Sequence, residues 1–178
     1  MVSQELLERV ADAVRTHCRG RGYVPAPWLN PLVPHDSVAA WTMARRLTAE
    51  ERFDDYVAVA PEGHVYGFFF EKFGASVLSV FVDYPPKHFA AVDDLARIRD
   101  RRVLILEDDV LSGVTLALVV RGLQAYGPRA LALYLGREKD YQQLQNVPPA
   151  VSPIYLAEDY LEPSLRERAE ADFAAFFR

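Results

Sequence analysis

Val103-Leu104-Ile105-Leu106-Glu107-Asp108-Asp109-Val110-Leu111-Ser112-Gly113-Val114-Thr115 is the stretch that decides how this chain is read. Four apolar residues lead into three adjacent carboxylates, and a Ser/Gly/Thr turn then opens a helix-forming run. A strand apolar at every position has both faces covered, which is the habit of strands inside parallel sheets. Acids at the carboxyl end of such a strand lie where open α/β sheets bind ligands. The turn behind them offers main-chain N–H groups, the hydroxyls of Ser112 and Thr115 and a helix N-terminus, a set suited to an anion such as phosphate. Carboxylates for sugar hydroxyls or a metal therefore share one loop with donors for a phosphate, and together they point to a phosphorylated sugar. The plain alternative is a strand end whose acids face water and cap the next helix.

In this segment the chain resembles the type I phosphoribosyltransferases. Their signature is an apolar strand, an acidic pair, two mostly apolar residues and a short Thr/Ser/Gly-rich loop entering a helix. Glu107 and Asp108 match the acidic pair, Asp109 and Val110 the next two positions, and Leu111, Ser112, Gly113, Val114 and Thr115 the loop, without a gap. The resemblance implies that Glu107 and Asp108 hold the ribose 2- and 3-hydroxyls of 5-phosphoribosyl 1-pyrophosphate (PRPP) and act in catalysis. It implies that Leu111 to Thr115 wrap the 5-phosphate, and that Asp108 and Asp109 face Mg2+ or its waters. The implied reaction moves the phosphoribosyl group onto a nucleobase or similar nitrogen nucleophile with release of pyrophosphate. Positive charge would develop on the sugar while negative charge builds on the leaving group, which calls for Mg2+ and donors around the pyrophosphate.

The flanking sequence supplies the context. Tyr56 to Ala60 reads as a short apolar strand, Val65 to Phe73 as a helix ended by Gly74, and Ser76 to Val82 as another strand, which is a parallel crossover unit. The resemblance places pyrophosphate at the intervening loop, Pro61-Glu62-Gly63-His64. Gly63 matches the family's glycine, His64 is a hydrogen-bond donor beside it, and Glu62 stands where a basic residue is common. A carboxylate there repels pyrophosphate unless Mg2+ or a nearby cation intervenes. Leu111 is a second departure, because the purine-salvage branch often carries an aspartate there and leucine moves no proton. In the connection Asp83 to Asp100, the family carries a mobile catalytic loop; here Tyr84-Pro85-Pro86-Lys87-His88-Phe89 is followed by helical spacing from Val92 to Ile98. Lys87 is the cation that such a loop would bring to pyrophosphate. On the plainer reading Pro85-Pro86 redirects the chain, Lys87 is solvated, and a full-length loop is absent or shortened. Gly136-Arg137-Glu138-Lys139, Tyr155 and the stretch Ala157 to Tyr160 border the region where a base would lie.

Composition agrees with a single α/β domain. The 178 residues are 51% apolar, enough for one hydrophobic core. A net charge of −5 speaks against nucleic acid or an anionic membrane as the main partner. No apolar run reaches spanning length and no signal-peptide pattern opens the chain, so a cytoplasmic protein is expected. The lone Cys18 excludes an internal disulfide. Residues 3 to 18 pattern as an amphipathic helix capped by Ser3, and Asp36 or Ser37 to about Leu47 as a second helix burying Trp41. A proline-rich loop with Trp28 joins them, and Thr48-Ala49-Glu50-Glu51 has the spacing of a capping box, although the run after it is too short for a long helix. Leu116 to Tyr126, the strand Ala130 to Leu135, a last strand Pro153 to Leu156 and a terminal helix from Glu162-Pro163-Ser164 complete the alternation. The expected fold is α/β and type I phosphoribosyltransferase-like, a mostly parallel central sheet flanked by helices, with a small hood built from the chain ends. The expected layout is one domain over 1–178, with its core at about 52–150 and its hood from about 1–50 and 151–178. The aromatic terminal helix reads as core packing or a homodimer contact. Three uses fit such a chain: an Mg2+-dependent phosphoribosyltransferase, a non-catalytic PRPP- or nucleotide-binding regulator on the same fold, which Glu62 and Leu111 favour, or an unrelated α/β phosphatase or nucleotide hydrolase, whose aspartate nucleophile motif is not evident.

Overall fold

The apolar runs become strands whose side chains alternate between two cores. The structure, a computed structural model, describes residues 1–23, 34–157 and 163–178; the Trp28 loop and residues 158–162 lie outside it. Asp55–Val59 (β1), Val77–Asp83 (β2), His88–Ala91 (β3), Arg102–Glu107 (β4), Ala130–Leu135 (β5) and Val151–Leu156 (β6) form one sheet in the order β3-β2-β1-β4-β5-β6. Every pairing is parallel except that of β2 with β3. The helices are Gln4–Gly20 (α1), Pro34–Arg46 (α2), Gly63–Glu71 (α3), Val114–Gln124 (α4) and Pro163–Phe177 (α5).

Along β4, Leu104 and Leu106 point to one side, where they join Tyr56, Ala58 and Tyr134 beneath α1, α2, α3 and α5. Val103 and Ile105 point to the other, with Val57, Val59, Leu131 and Leu133 beneath α4. A fully buried Leu or Ile contributes roughly 1.5–3 kcal/mol, so burying both faces makes β4 the anchor of the sheet. The terminal helix finishes the first core: Phe173 is fully buried, edge-on to the Trp41 ring at 5.9 Å, and Phe176 and Phe177 pack around it. Ser3 caps α1 as expected, its Oγ accepting from Leu6 N at 3.3 Å.

The connections set the position of the site. The chain leaves β1 through α3 to reach β2 on one side, and leaves β4 through α4 to reach β5 on the other. Neighbouring strands β1 and β4 thus send their crossovers in opposite directions, and their carboxyl ends open a crevice at that switch point.

Several local expectations change. Val92 to Ile98 is not a helix. The hairpin strand β3 runs to Ala91, and only Leu95–Ile98 turns as 3-10, with Asp94 Oδ1 accepting from Ala96 N at 2.9 Å. Buried Leu95 and Ile98 stand three apart, a spacing that one 3-10 turn satisfies as well as a longer helix. Thr48 does not start a helix. Leu47–Glu51 prolongs α2 as a π-helical turn, and the Thr48 hydroxyl donates back to Ala44 O at 2.6 Å. The last strand, expected over Pro153 to Leu156, is present and starts two residues earlier. Val151–Leu156 is the edge strand β6 beside β5, so these residues belong to the sheet and not to the hood.

Candidate functional site

Where β4 ends and α4 has not begun, the backbone must find partners outside regular structure. Glu107 Oε1 accepts from Asp108 N at 3.0 Å and Asp108 Oδ1 from Asp109 N at 2.7 Å, so each acid is held by the amide that follows it. Asp109 Oδ2 receives Arg137 Nη1 at 2.8 Å, and the Arg137 guanidinium lies over the Tyr141 ring at 4.2 Å. Gly113 turns the chain with φ +76°, and α4 starts at Val114. A cavity of about 190 Å3 lies in this bend, lined by Glu107, Asp109, Val110, Leu111, Ser112, Gly113, Thr115 and Leu116. Glu107, Asp109 and the helix N-terminus therefore share one concavity, and Asp108 stands between the two acids without lining it.

The loop after β1 closes the other wall. Gly63 is there because nothing larger fits, since a Cβ would collide with the Leu106 carbonyl oxygen. That contact presses the N-terminus of α3 against the end of β4 and brings Glu62 toward the acids. Burial pushes the Glu62 carboxyl above the usual range, and the charges of Asp108 and Asp109 push it further. Burial likewise raises Glu107 well above its ordinary value, with the Asp108 charge adding to it, and burial raises Asp108. Buried carboxyls with raised pKa, gathered at the carboxyl end of a sheet, are poorly placed for stability and characteristic of sites.

Most of the sequence candidates converge here: Glu107, Asp108, Asp109, the loop from Leu111 to Thr115, and Glu62 with Gly63. Lys87 arrives from the β2–β3 hairpin. Its Nζ sits over the Tyr84 ring at 4.8 Å. The Tyr84 hydroxyl has its pKa lowered, chiefly by Lys87 and in smaller part by Thr115. The hairpin tip therefore stands beside the first turn of α4. His64 does not join the group. It is completely buried, its Nε2 lies 2.8 Å from Ser79 Oγ, and its ring stacks on Tyr23. Burial, then the Arg21 and His17 charges, lower its pKa to about 3, so it is a neutral core histidine.

The sequence reading missed Gln142 and Asn146. Both lie in the connection between β5 and β6, and both reach the backbone of the 108–111 segment. The one available signal was the length of that connection, which joins two parallel strands with only the 3-10 turns Lys139–Tyr141 and Leu144–Asn146. Of the base-pocket candidates, Gly136 packs beneath the Tyr66 ring, leaving no room for a Cβ, and Tyr155 is buried in the sheet.

Asp108 and Asp109 offer hard oxygen donors of the type Mg2+ takes. Among the described residues, however, no group of three or more His, Cys, Asp or Glu side chains is arranged to hold a metal by itself. Asp109 is also engaged by Arg137. No helix among the described residues is long and apolar enough to cross a membrane.

No family model and no curated protein matches the chain. Among solved structures it is similar to a hypoxanthine-guanine phosphoribosyltransferase from Bacillus anthracis, with TM-score 0.50 and 15% identity over 68% of this chain and 77% of that one. It is also similar to a hypothetical protein from Neisseria gonorrhoeae with bound ppGpp, with TM-score 0.53 and 14% identity over 81% of this chain and 93% of that one. At these identities the similarity shows the fold.

Proposed function

We propose that this chain, whose fold is that of the type I phosphoribosyltransferases, binds the phosphoribosyl group of PRPP at the carboxyl ends of β1 and β4. It transfers that group, with Mg2+, to a small nitrogen nucleophile such as a nucleobase. The observation that carries this reading is the cavity of about 190 Å3 that joins Glu107 to the Ser112–Thr115 turn. Glu107 and Asp108 accept the ribose hydroxyls. Ser112, Gly113, Val114 and Thr115 wrap the 5-phosphate with hydroxyls and with first-turn N–H groups of α4, which have no carbonyl partner inside the helix. Mg2+ would be held by Asp108 and by ligand and water oxygens, and would supply neutralising charge to the pyrophosphate. Lys87, from the hairpin tip, would face the leaving group, and Glu62 would oppose it.

A second reading, a regulatory protein that binds a phosphoribosyl ligand without turnover, has specific support. Glu62 faces Asp108 and Asp109, and Leu111, 56% exposed at the loop, carries no titratable group. The protein of this fold from Neisseria gonorrhoeae holds ppGpp.

Calorimetric titration with PRPP, with and without Mg2+, tests the first reading. Saturable Mg2+-dependent binding is expected, weakened roughly tenfold or more in Asp108→Asn, because a hydrogen bond to a charged group is worth about 1.5–3 kcal/mol. Unchanged binding in a folded Asp108→Asn protein would remove the ribose assignment. Pyrophosphate release across a panel of bases separates transferase from regulator.

A further inference from the structure

Resting on that reading of the site, we infer that Gln142 is a positioning residue, holding the phosphate loop in the shape that receives its ligand. The side chain is 8% exposed and lies 32 residues from the backbone amide it serves. Its Oε1 accepts from Val110 N at 3.0 Å, and its Nε2 donates to Asp108 O at 3.1 Å and to Arg137 O at 3.2 Å. One amide thereby uses both of its donors and one acceptor site. The orientation is fixed by the partners: exchanging O and N would set the Val110 N–H against an NH2 group and two carbonyls against an oxygen.

The neighbouring residues of the same connection complete the brace. Gln143 N donates to Val110 O at 2.7 Å, Asn146 Nδ2 to Leu111 O at 2.5 Å, and Arg137 N to Asp108 O at 3.0 Å. From Asp108 to Leu111 the chain belongs to neither strand nor helix. The carboxylates before them satisfy the Asp108 and Asp109 amides, while the Val110 amide and the Asp108, Val110 and Leu111 carbonyls are bonded by this one connection. The direction of Val110 and Leu111 sets where the next N–H groups and hydroxyls point. A phosphate needs several of them aimed at one place, so a small loss of order there costs affinity before it costs the fold. Gln142 touches no ligand atom on this account and acts through the Val110 amide.

The test compares Gln142→Leu, close in volume and unable to hydrogen-bond, with two controls. Gln145→Leu removes an exposed amide of the same connection whose one bond among the described residues is to Gln143 Oε1, and Ile98→Val is a core destabilisation in another element. Ribose 5-phosphate affinity is measured by calorimetry well below the melting temperature, and exchange of the Val110 amide by hydrogen–deuterium exchange. At least tenfold weaker affinity and faster Val110 exchange in Gln142→Leu alone, with both controls like the unaltered chain, is the expected result. Unaltered affinity in Gln142→Leu, or equal loss in Ile98→Val, overturns the positioning role and leaves the site standing. Failure of the unaltered chain to bind ribose 5-phosphate or PRPP overturns the site reading, and this inference with it.

Discussion

Replacing Gly113 by alanine puts one methyl group where two separate costs can be read from the geometry. The residue has φ +76°, a left-handed conformation that costs an L side chain roughly 1–2 kcal/mol. Its Cβ would also stand 2.5 Å from Asn146 O and 2.9 Å from Asn146 Cβ. The first is a backbone atom and the second is bonded directly to the backbone, so relief requires moving the chain, and overpacking of this kind costs about 1–3 kcal/mol. Gly127 isolates the first cost, since it has φ +72° and its nearest foreign atom, Arg99 Cγ, would be 4.0 Å from the new Cβ. Gly127→Ala should therefore lose about 1–2 kcal/mol in urea unfolding and keep its affinity for ribose 5-phosphate. Gly113→Ala should lose about 2–5 kcal/mol in total, the sum of the two costs. It should also bind more weakly, because displacing Asn146 breaks its bond to Leu111 O; each 1.4 kcal/mol drawn from the loop is tenfold in affinity. Equal stability of the two variants, with affinity retained in Gly113→Ala, would refute the packing argument.

Two further substitutions probe the charge of the crevice. Glu107 has its folded pKa raised well above 4.5, chiefly by burial. The folded state therefore holds its proton more tightly than the unfolded chain, and the associated stability is complete below the unfolded value and lost as pH rises toward the folded one. Glu107→Gln should flatten that decline and melt higher than the unaltered protein at pH 7.5, by about 2 °C or more, ~1 kcal/mol for a chain of this size. Superimposable pH–stability curves would contradict it. Glu62→Lys exchanges a repulsion for an attraction beside the proposed pyrophosphate position, worth ~1–3 kcal/mol for partly screened charges. Affinity for Mg2+-PRPP should rise fivefold or more while ribose 5-phosphate is little affected, and an equal change for both ligands would show that Glu62 does not face the pyrophosphate side.

The strand and loop from Val103 to Thr115 were readable because a double-sided apolar run and a glycine turn are local signals, and Ala130–Leu135 was readable for the same reason. Local signals also misled. Leu95 and Ile98 fit a helix and a 3-10 turn equally, and Thr48 has the chemistry of either end of a helix. His64 follows Gly63 directly, yet successive helix residues point about 100° apart, so sequence adjacency could not show that its ring enters the core. Gln142 and Asn146 were illegible for a different reason. Their partners are backbone groups 32 and 35 residues away, and no residue type announces a bond to a remote carbonyl.

The β2–β3 hairpin carries Phe89 onto α4 at Gly122, where the ring occupies the space any side chain would need. The tip bearing Tyr84 and Lys87 is thus tied to the same helix whose first turn carries the proposed phosphate loop. On the proposed reading, roof and floor share α4 as a common support, and ligand exchange would proceed by diffusion rather than by the opening of a flap. With a net charge of −5, the chain repels an approaching anion. Added salt screens that repulsion, and capture should quicken with ionic strength, the reverse of an electrostatically steered encounter.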